Sequence, residues 1–357
     1  MSASESSSLQ PKAFRKESEL PKLIPVVFVS SIIAAQYVIY SFAHLKPMMQ
    51  AGVVGDQIDV GKQRRGMVEF LVFNCLSFML VTCYVLAIKV HPGGVPQTPE
   101  WQSSVEDGRA PAELPGSIET KRTGERRHCK WCLLYKPDRA HHCRVCRSCI
   151  LRMDHHCPWI YNCVGFFNYK YFFLLLLYTT LTCNFIWSTM IESVRDAFFN
   201  DGPFAHMFVL LFCETLALFL GLLSLVFFCF HIWLMSKAMT TIEFCEKSSK
   251  KGGYGNSDYC QGWYGNCTAA LGNNPLVWLL PAGGPAGTGL YFAAERRNLV
   301  AQERRGSRVS KISARGSKKE PRPAPSQSEA VEAEPEVTAA AAEAAPLLPA
   351  GGEGAAQ

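Results

Sequence analysis

With 357 residues, 48% of them apolar and 18% charged, and a formal net charge of +6, the chain has room for one or two domains, but not of the plain soluble kind. Apolar blocks alternate with very polar ones, and the positive charge gathers between the second and third blocks and again after the fourth. That segregation points to a protein of the lipid bilayer and gives no reason to expect a nucleic-acid partner.

In chain order, residues 1–22 are rich in Ser, Lys and Glu and are expected to form a disordered cytosolic tail. Four apolar blocks, 23–45, 70–88, 171–191 and 207–235, are each close to the roughly 20 residues that a helix needs to cross a hydrocarbon core. The first lacks a small-residue cleavage site and is expected to stay as an anchor, with Pro25 near its start where a missing amide proton costs nothing. Four spans put both termini on the same face as the loop between the second and third, and basic residues crowd that face, so it is read as cytosolic. Residues 46–69 and 192–206 are then lumenal loops. Lys46, Lys62, Arg64 and Arg65 in the first of them do not support this orientation, which rests on the other segments and on redox logic.

Polar residues inside the spans have modest readings. Asn74, Ser77 and Thr82 suit helix–helix contacts. Thr179, Thr180, Thr182, Asn184 and Ser188 either bond back to their own helix or border a cavity between spans. Glu214 is placed at the lumenal interface and His231 towards the cytosolic end.

Residues 89–126 open with His91-Pro92-Gly93-Gly94-Val95-Pro96, which ends a helix and forces a turn, and continue as a polar linker. Residues 127–170 are the Cys-rich stretch. After the fourth span, 236–295 forms a cytosolic C-terminal region in which Asn274–Pro281 is too short to span; it is expected to pack on the bundle or to lie in the interface with Trp278 as an anchor. Residues 296–357 are basic, then rich in Ala, Pro and Glu, and are expected to be a disordered tail whose cations either attract anionic lipid or only keep the tail soluble.

Between His128 and Gly165 lie seven of the fifteen cysteines and five of the nine histidines. The spacing is Cys129-x2-Cys132, then Cys143-x2-Cys146-x2-Cys149, then Cys163 fourteen residues later. In a reducing cytosol such pairs read as metal ligands rather than disulfides. Structural zinc takes four ligands in a closed tetrahedron, so six cysteines suggest two ions with two histidines completing them. Spacing does not choose among His128, His141, His142, His155 and His156.

Cys157 is left over, directly after Asp154-His155-His156. An imidazole beside a thiol, oriented by a carboxylate, is the recurring means of activating a cysteine nucleophile. The competing reading makes Cys157 a seventh ligand and the loop a non-catalytic zinc-binding membrane adaptor that recruits proteins.

The stretch Cys129–Gly165 resembles the DHHC protein S-acyltransferases, membrane enzymes that attach palmitate to cysteines. The matching residues are Lys136-Pro137-Asp138-Arg139, His142-Cys143, Asp154-His155-His156-Cys157-Pro158-Trp159 and Asn162-Cys163-Val164-Gly165, continuing to Asn168. Pro92-Gly93, Thr240-Thr241-Ile242-Glu243 and Asn266–Gly272 are similar to that family's other motifs, so the likeness runs over about residues 20–282. His91, Leu271 and the run Gly255–Gly262 depart from the pattern.

The resemblance implies an α-helical integral membrane protein, with four transmembrane helices and a cytosolic two-zinc domain between the second and third. One structural Zn2+ would be held by Cys129, Cys132, His142 and Cys149, the other by Cys143, Cys146, His156 and Cys163. Cys157, His155 and Asp154 would be catalytic. Palmitoyl-CoA or another acyl-CoA would be the donor and cysteine-containing, membrane-associated proteins the acceptors, in the Golgi or endoplasmic reticulum. Basic residues near the loop, Arg126, Arg127 or Lys130, are candidates for the CoA phosphates.

Overall fold

The computed structural model describes residues 20–50, 59–102, 119–121, 125–199, 203–248 and 255–292. All belong to one compact unit, Met1–Arg304. Most of the N-terminal tail, part of the 89–126 linker and the whole of 296–357 lie outside the described residues.

Four helical spans, Leu23–Gln50, Val60–Lys89, Tyr169–Phe199 and Phe204–Ser236, are long and apolar enough to cross a bilayer. The first begins as helix α1 (Leu20–Ile39), so Pro25 falls inside the helix and not at its start, and one rung of the ladder is lost there. It then widens into a π-helical stretch, Tyr40–Leu45, before the short α2 (Lys46–Gln50). Pro47 has no amide proton to continue the ordinary ladder, and the Lys46 amide donates five residues back to the Ser41 carbonyl. The extra residue turns Tyr40, His44 and Leu45 into the bundle, where all three are buried.

Helix α3 (Val60–Lys89) starts at an Asp59 cap, whose carboxylate accepts from the Lys62 amide at 2.9 Å. It ends where Val90 turns extended ahead of His91-Pro92. Helices α4 (Tyr169–Phe199) and α5 (Phe204–Ser236) pack closely because Gly221 carries no side chain: a Cβ there would lie 3.3 Å from that of Cys183. At the end of the bundle away from the Cys-rich stretch, Glu69 accepts from His44 and Arg65, and Arg65 also bonds Glu192, tying three spans together.

The Cys-rich stretch has no large sheet. It is three short antiparallel hairpins: β1 (His128–Cys129) with β2 (Leu134–Tyr135), β3 (His141–Cys143) with β4 (Ser148–Ile150), and β5 (His155–Cys157) with β6 (Asn162–Val164). The turn after α3 is woven into them. The Leu151 amide donates to the Gly93 carbonyl, and the Val95 amide to that of Cys149. Gly93 has φ +103°, and at Gly165 any Cβ would strike Ile150, the Pro92 carbonyl and the Leu151 carbonyl within 3.0 Å. The described parts of the 89–126 stretch are therefore not a passive linker: Trp101 is fully buried, and Glu119 accepts from the Arg139 amide.

After α5, helix α6 (Thr241–Ser248) and helix α7 (Gly262–Leu271) cover the hairpins and the ends of α4 and α5. The Asn274–Pro281 stretch contains a 3-10 turn, Pro275–Val277, and is held from beneath. Lys170 Nζ donates to the carbonyls of Val277 and Ala282, and the Tyr178 hydroxyl to that of Leu279. Its outer side remains apolar, with Leu276 and Leu279 exposed. It packs on the bundle and presents an interfacial face at once.

Candidate active site

Local geometry sorts the cysteines and histidines. Side chains alternate along a strand, so in β5 His155 and Cys157 share one face and His156 takes the other. His156 sits opposite Cys163 on β6, and in β3 His142 sits opposite Cys149 on β4. Each cross-strand His–Cys pair meets a Cys-x2-Cys turn. In those turns the Cys132 amide donates to Cys129 Sγ at 3.5 Å and the Cys146 amide to Cys143 Sγ at 3.3 Å.

Two clusters result, Cys129, Cys132, His142 and Cys149, and Cys143, Cys146, His156 and Cys163, with ligand atoms all within 4.8 Å of one another. His142 Nδ1 lies 3.5, 3.2 and 3.9 Å from its three sulfurs, and His156 Nδ1 3.7, 3.4 and 3.5 Å from its own. With metal bonds of about 2.1 and 2.3 Å, a tetrahedron has edges of roughly 3.5–3.8 Å, so both clusters fit zinc. The donor chemistry agrees. Three sulfurs this close share protons when left to themselves: hydrogen bonding from Cys163 holds Cys146 down to about 5, while Cys163 is pushed up. A dication favours all of them as thiolates.

Cys157 lies outside both clusters. It is 6% exposed and joins the core between the ends of α3 and α4 and helix α7. On the same face, His155 Nδ1 lies 2.7 Å from Asp154 Oδ2 and donates to it, leaving Nε2 as the ring nitrogen available to the Cys157 thiol. Burial works against a charged imidazole there, but the bonds to Asp154 and Cys157 outweigh it and raise His155 to about 9. Asp154 is 1% exposed; burial opposes its charge too, yet its bonds with His155 and Thr241 hold it down to about 2.

Thr241 fixes that carboxylate from 87 residues away, its amide reaching Oδ1 at 3.0 Å and its hydroxyl Oδ2 at 2.6 Å. The sequence Thr240-Thr241-Ile242-Glu243 allows this because it is a capping box. The Thr240 hydroxyl accepts from the Glu243 amide at 3.2 Å and the Glu243 carboxylate from the Thr240 amide at 3.0 Å. That leaves the first amide of α6 pointing at Asp154. Glu243 is also gripped by buried Arg139, at 2.6 and 2.9 Å, which docks α6 on the hairpins. His231, five residues before the end of α5, is buried with its ring 5.1 Å from Phe172 and 6.4 Å from His155.

Beside Cys157 opens an apolar cavity of about 650 Å³, bounded by α1, α3, α4 and Leu220 of α5. Its α3 wall, from Phe73 to Ile88, covers about 22 Å of helix rise. Thr179 and Thr182 line it, whereas Thr180, Asn184 and Ser188 bond within or between helices. Asn74 accepts from the Tyr37 hydroxyl of α1, and Ser77 faces the cavity.

Sequence reasoning named the hairpin residues but missed the work of Thr241, Glu243, Arg139 and His231. The sequence signals were the family motifs that hold Arg139, Thr241 and Glu243, the capping-box spacing and a histidine in an apolar helix. Two of the three candidate phosphate contacts meet protein groups, while Nε and Nη2 of Arg126 and Nε of Arg127 are buried without a hydrogen-bond partner among the described residues. Arg126 stacks on Trp101 and Tyr135 and donates to the Glu100 carbonyl; Arg127 pairs with Glu119 and donates to the Pro137 carbonyl. Lys130 lies over Trp131.

Comparison with known proteins agrees with this geometry. The DHHC palmitoyltransferase family model matches residues 122–248. The chain is 32% identical over 288 residues to palmitoyltransferase ZDHHC2 of Mus musculus, covering 75% of each chain. It is 36% identical over 238 residues to probable protein S-acyltransferase 15 of Arabidopsis thaliana, covering 64% of this chain and 87% of that one. With a mouse relative matched along three quarters of both chains, and with the hairpins, clusters and His155–Cys157 face in place, the chain belongs to the DHHC palmitoyltransferase family.

Proposed function

We propose that this chain, a protein S-acyltransferase by family, moves a long-chain acyl group from acyl-CoA to protein cysteines through an acyl-enzyme on Cys157. The observation that carries the reading is the placement of the Cys157 thiol: on the same strand face as an Asp154-oriented imidazole, outside both metal clusters and at the end of an apolar cavity. An adaptor uses neither the base nor the cavity.

In the first step His155 takes the Cys157 proton, and the thiolate attacks the thioester carbonyl. The Cys157 S–C bond forms, the C–S bond to CoA breaks, and the leaving CoA thiolate takes its proton from His155. In the second step His155 receives the proton of a substrate cysteine, which attacks the acyl-Cys157 carbonyl and frees the Cys157 thiolate to be reprotonated. Thioester replaces thioester, so neither step is strongly uphill. Asp154 holds the His155 tautomer and stabilises the imidazolium, and Thr241 holds Asp154.

Cys129, Cys132, His142 and Cys149 would hold one zinc ion, and Cys143, Cys146, His156 and Cys163 the other. When bound, zinc supplies folding energy to hairpins too short to stand alone. The cavity would take the acyl chain, whose burial is worth about 0.8 kcal/mol per CH2, while CoA stays in the aqueous phase. The hairpins and both termini would face the cytosol, in the Golgi or endoplasmic reticulum, and the acceptors would be membrane-associated proteins.

Incubation of the purified protein with labelled palmitoyl-CoA is the test. Cys157→Ser is expected to remove hydroxylamine-sensitive label from the enzyme and to stop transfer, while zinc stays at two per chain. Labelling that persists in this variant sinks the assignment of the nucleophile.

A further inference from the structure

Arg152 stands two residues before Asp154 but bonds to none of the groups used above. It is 7% exposed, has φ +42°, and lays its guanidinium over the Tyr169 ring at 5.1 Å. Its Nη1 is buried with no hydrogen-bond partner among the described residues. A buried guanidinium nitrogen left in that condition is costly, and native structures normally meet such a group with a partner or a ligand.

The neighbouring acids are already engaged. Glu243 is bidentate with Arg139, Asp154 accepts from His155 and Thr241, and Glu119 serves Arg127 and the Arg139 amide. Among the described residues, Arg152 therefore has no ion-pair partner. Burial, with the Arg139 charge beside it, pushes the Arg152 guanidinium down to about 10, which still leaves it protonated at neutral pH.

Arg152 and Arg139 line a cavity of about 400 Å³ that has no residue in common with the apolar one at Cys157. Tyr259, Phe292 and the α7 residues Tyr264 and Thr268 supply other parts of its wall. Tyr264 packs against Trp278 at 5.7 Å, in the segment whose Leu276 is 87% exposed. An aromatic side chain next to exposed leucines is the composition of a bilayer interface, so the cavity stands where the zinc hairpins meet the membrane surface.

We propose that this cavity is an anion site, separate from the acyl-transfer site, in which the Arg152 guanidinium, itself part of the lining, donates to a phosphate-bearing ligand. A phosphate meets the unpaired charge, and the aromatic wall accommodates the organic part. Two sources share this chemistry, the headgroup of an anionic phospholipid and a soluble phosphate.

The experiment uses the full chain in nanodiscs and follows thermal unfolding. One arm titrates phosphatidic acid into phosphatidylcholine discs; the other adds inorganic phosphate to pure phosphatidylcholine discs. The site predicts a saturable stabilisation, in the lipid arm alone if the source is a headgroup and in the phosphate arm if it is soluble. Arg152→Gln is expected to weaken the half-saturating concentration roughly tenfold or more, as befits one charge-assisted bond. Because Arg152 is buried, Asn273→Asp gives a second reading at an exposed lining position, where an added carboxylate should weaken the same binding several-fold. No saturable response in either arm, or equal responses from wild type and both variants, overturns the proposal. Displacement of the bound anion by free CoA would assign the cavity to the acyl donor and overturn the claim of a separate site.

Discussion

Two hairpins of the Cys-rich stretch contain the same tripeptide, His-His-Cys, at 141–143 and at 155–157, and the structure uses them differently. The registers match position by position: His141 faces Ile150 as His155 faces Val164, His142 faces Cys149 as His156 faces Cys163, and Cys143 faces Ser148 as Cys157 faces Asn162. In each, the middle histidine enters a metal cluster. The outer residues part company. Cys143 enters the second cluster, while Cys157 faces the cavity. His141 follows Ala140, and burial with the nearby charges of Arg127 and Lys136 lowers it to about 4; His155 follows Asp154 and is raised to about 9. On the proposed reading, a hairpin that is structural in one copy becomes reactive in the other through one preceding acid and a helix, α6, that fixes that acid.

The comparison is broken most severely at the two cysteines. Cys143→Ala is expected to release one of two zinc ions and to unfold the hairpins, since such sites carry about 10–16 kcal/mol of apparent binding energy in small zinc domains. Cys157→Ser should instead keep both ions and the melting temperature while losing acylation by several orders of magnitude. Zinc by atomic absorption alongside labelled acyl transfer separates the two; a like response from both would deny the difference between the hairpins.

Asp154→Asn keeps a hydrogen-bonding side chain but loses the charge that orients His155. The rate of self-acylation should fall about 10²–10⁴-fold with zinc content unchanged, as measured in single-turnover assays. Glu243→Gln leaves the Arg139 charge buried without its partner, and a loss of about 3–5 kcal/mol in unfolding free energy is expected, read as a lowered melting temperature. The smallest effect belongs to Thr241→Val, which removes one bond to Asp154 at constant shape. Self-acylation should slow roughly tenfold at saturating acyl-CoA, with little change in half-saturation. An unchanged rate would mean that α6 is only a lid on the hairpin.

Much of this was legible in the chain. The Cys-x2-Cys spacing sets the turns, because three residues of separation bring the second amide to the first sulfur. Period-two alternation separates His155 and Cys157 from His156 only once 155–157 is known to be a strand, which the structure supplies. Long apolar runs give four spans, although the helices extend past those runs, since their backbone bonds do not depend on apolar side chains. The reading of Arg126 and Arg127 as candidate phosphate contacts counted charge alone and could not show that Trp101 and Glu119 would come to meet them.

By itself, then, the sequence determined what depends on neighbours a few residues apart: Cys-x2-Cys turns with enough cysteines and histidines for two metal sites, a spare thiol beside an imidazole, and helices of membrane length. Only the tertiary structure decided the rest. Thr241 reaches Asp154 across 87 residues, Arg139 reaches Glu243 across 104, and four separate helices leave a cavity at Cys157. Such contacts obey no local period, because they follow from how the apolar faces of distant elements bury one another, and the polar groups carried with them must then find partners where the packing leaves them.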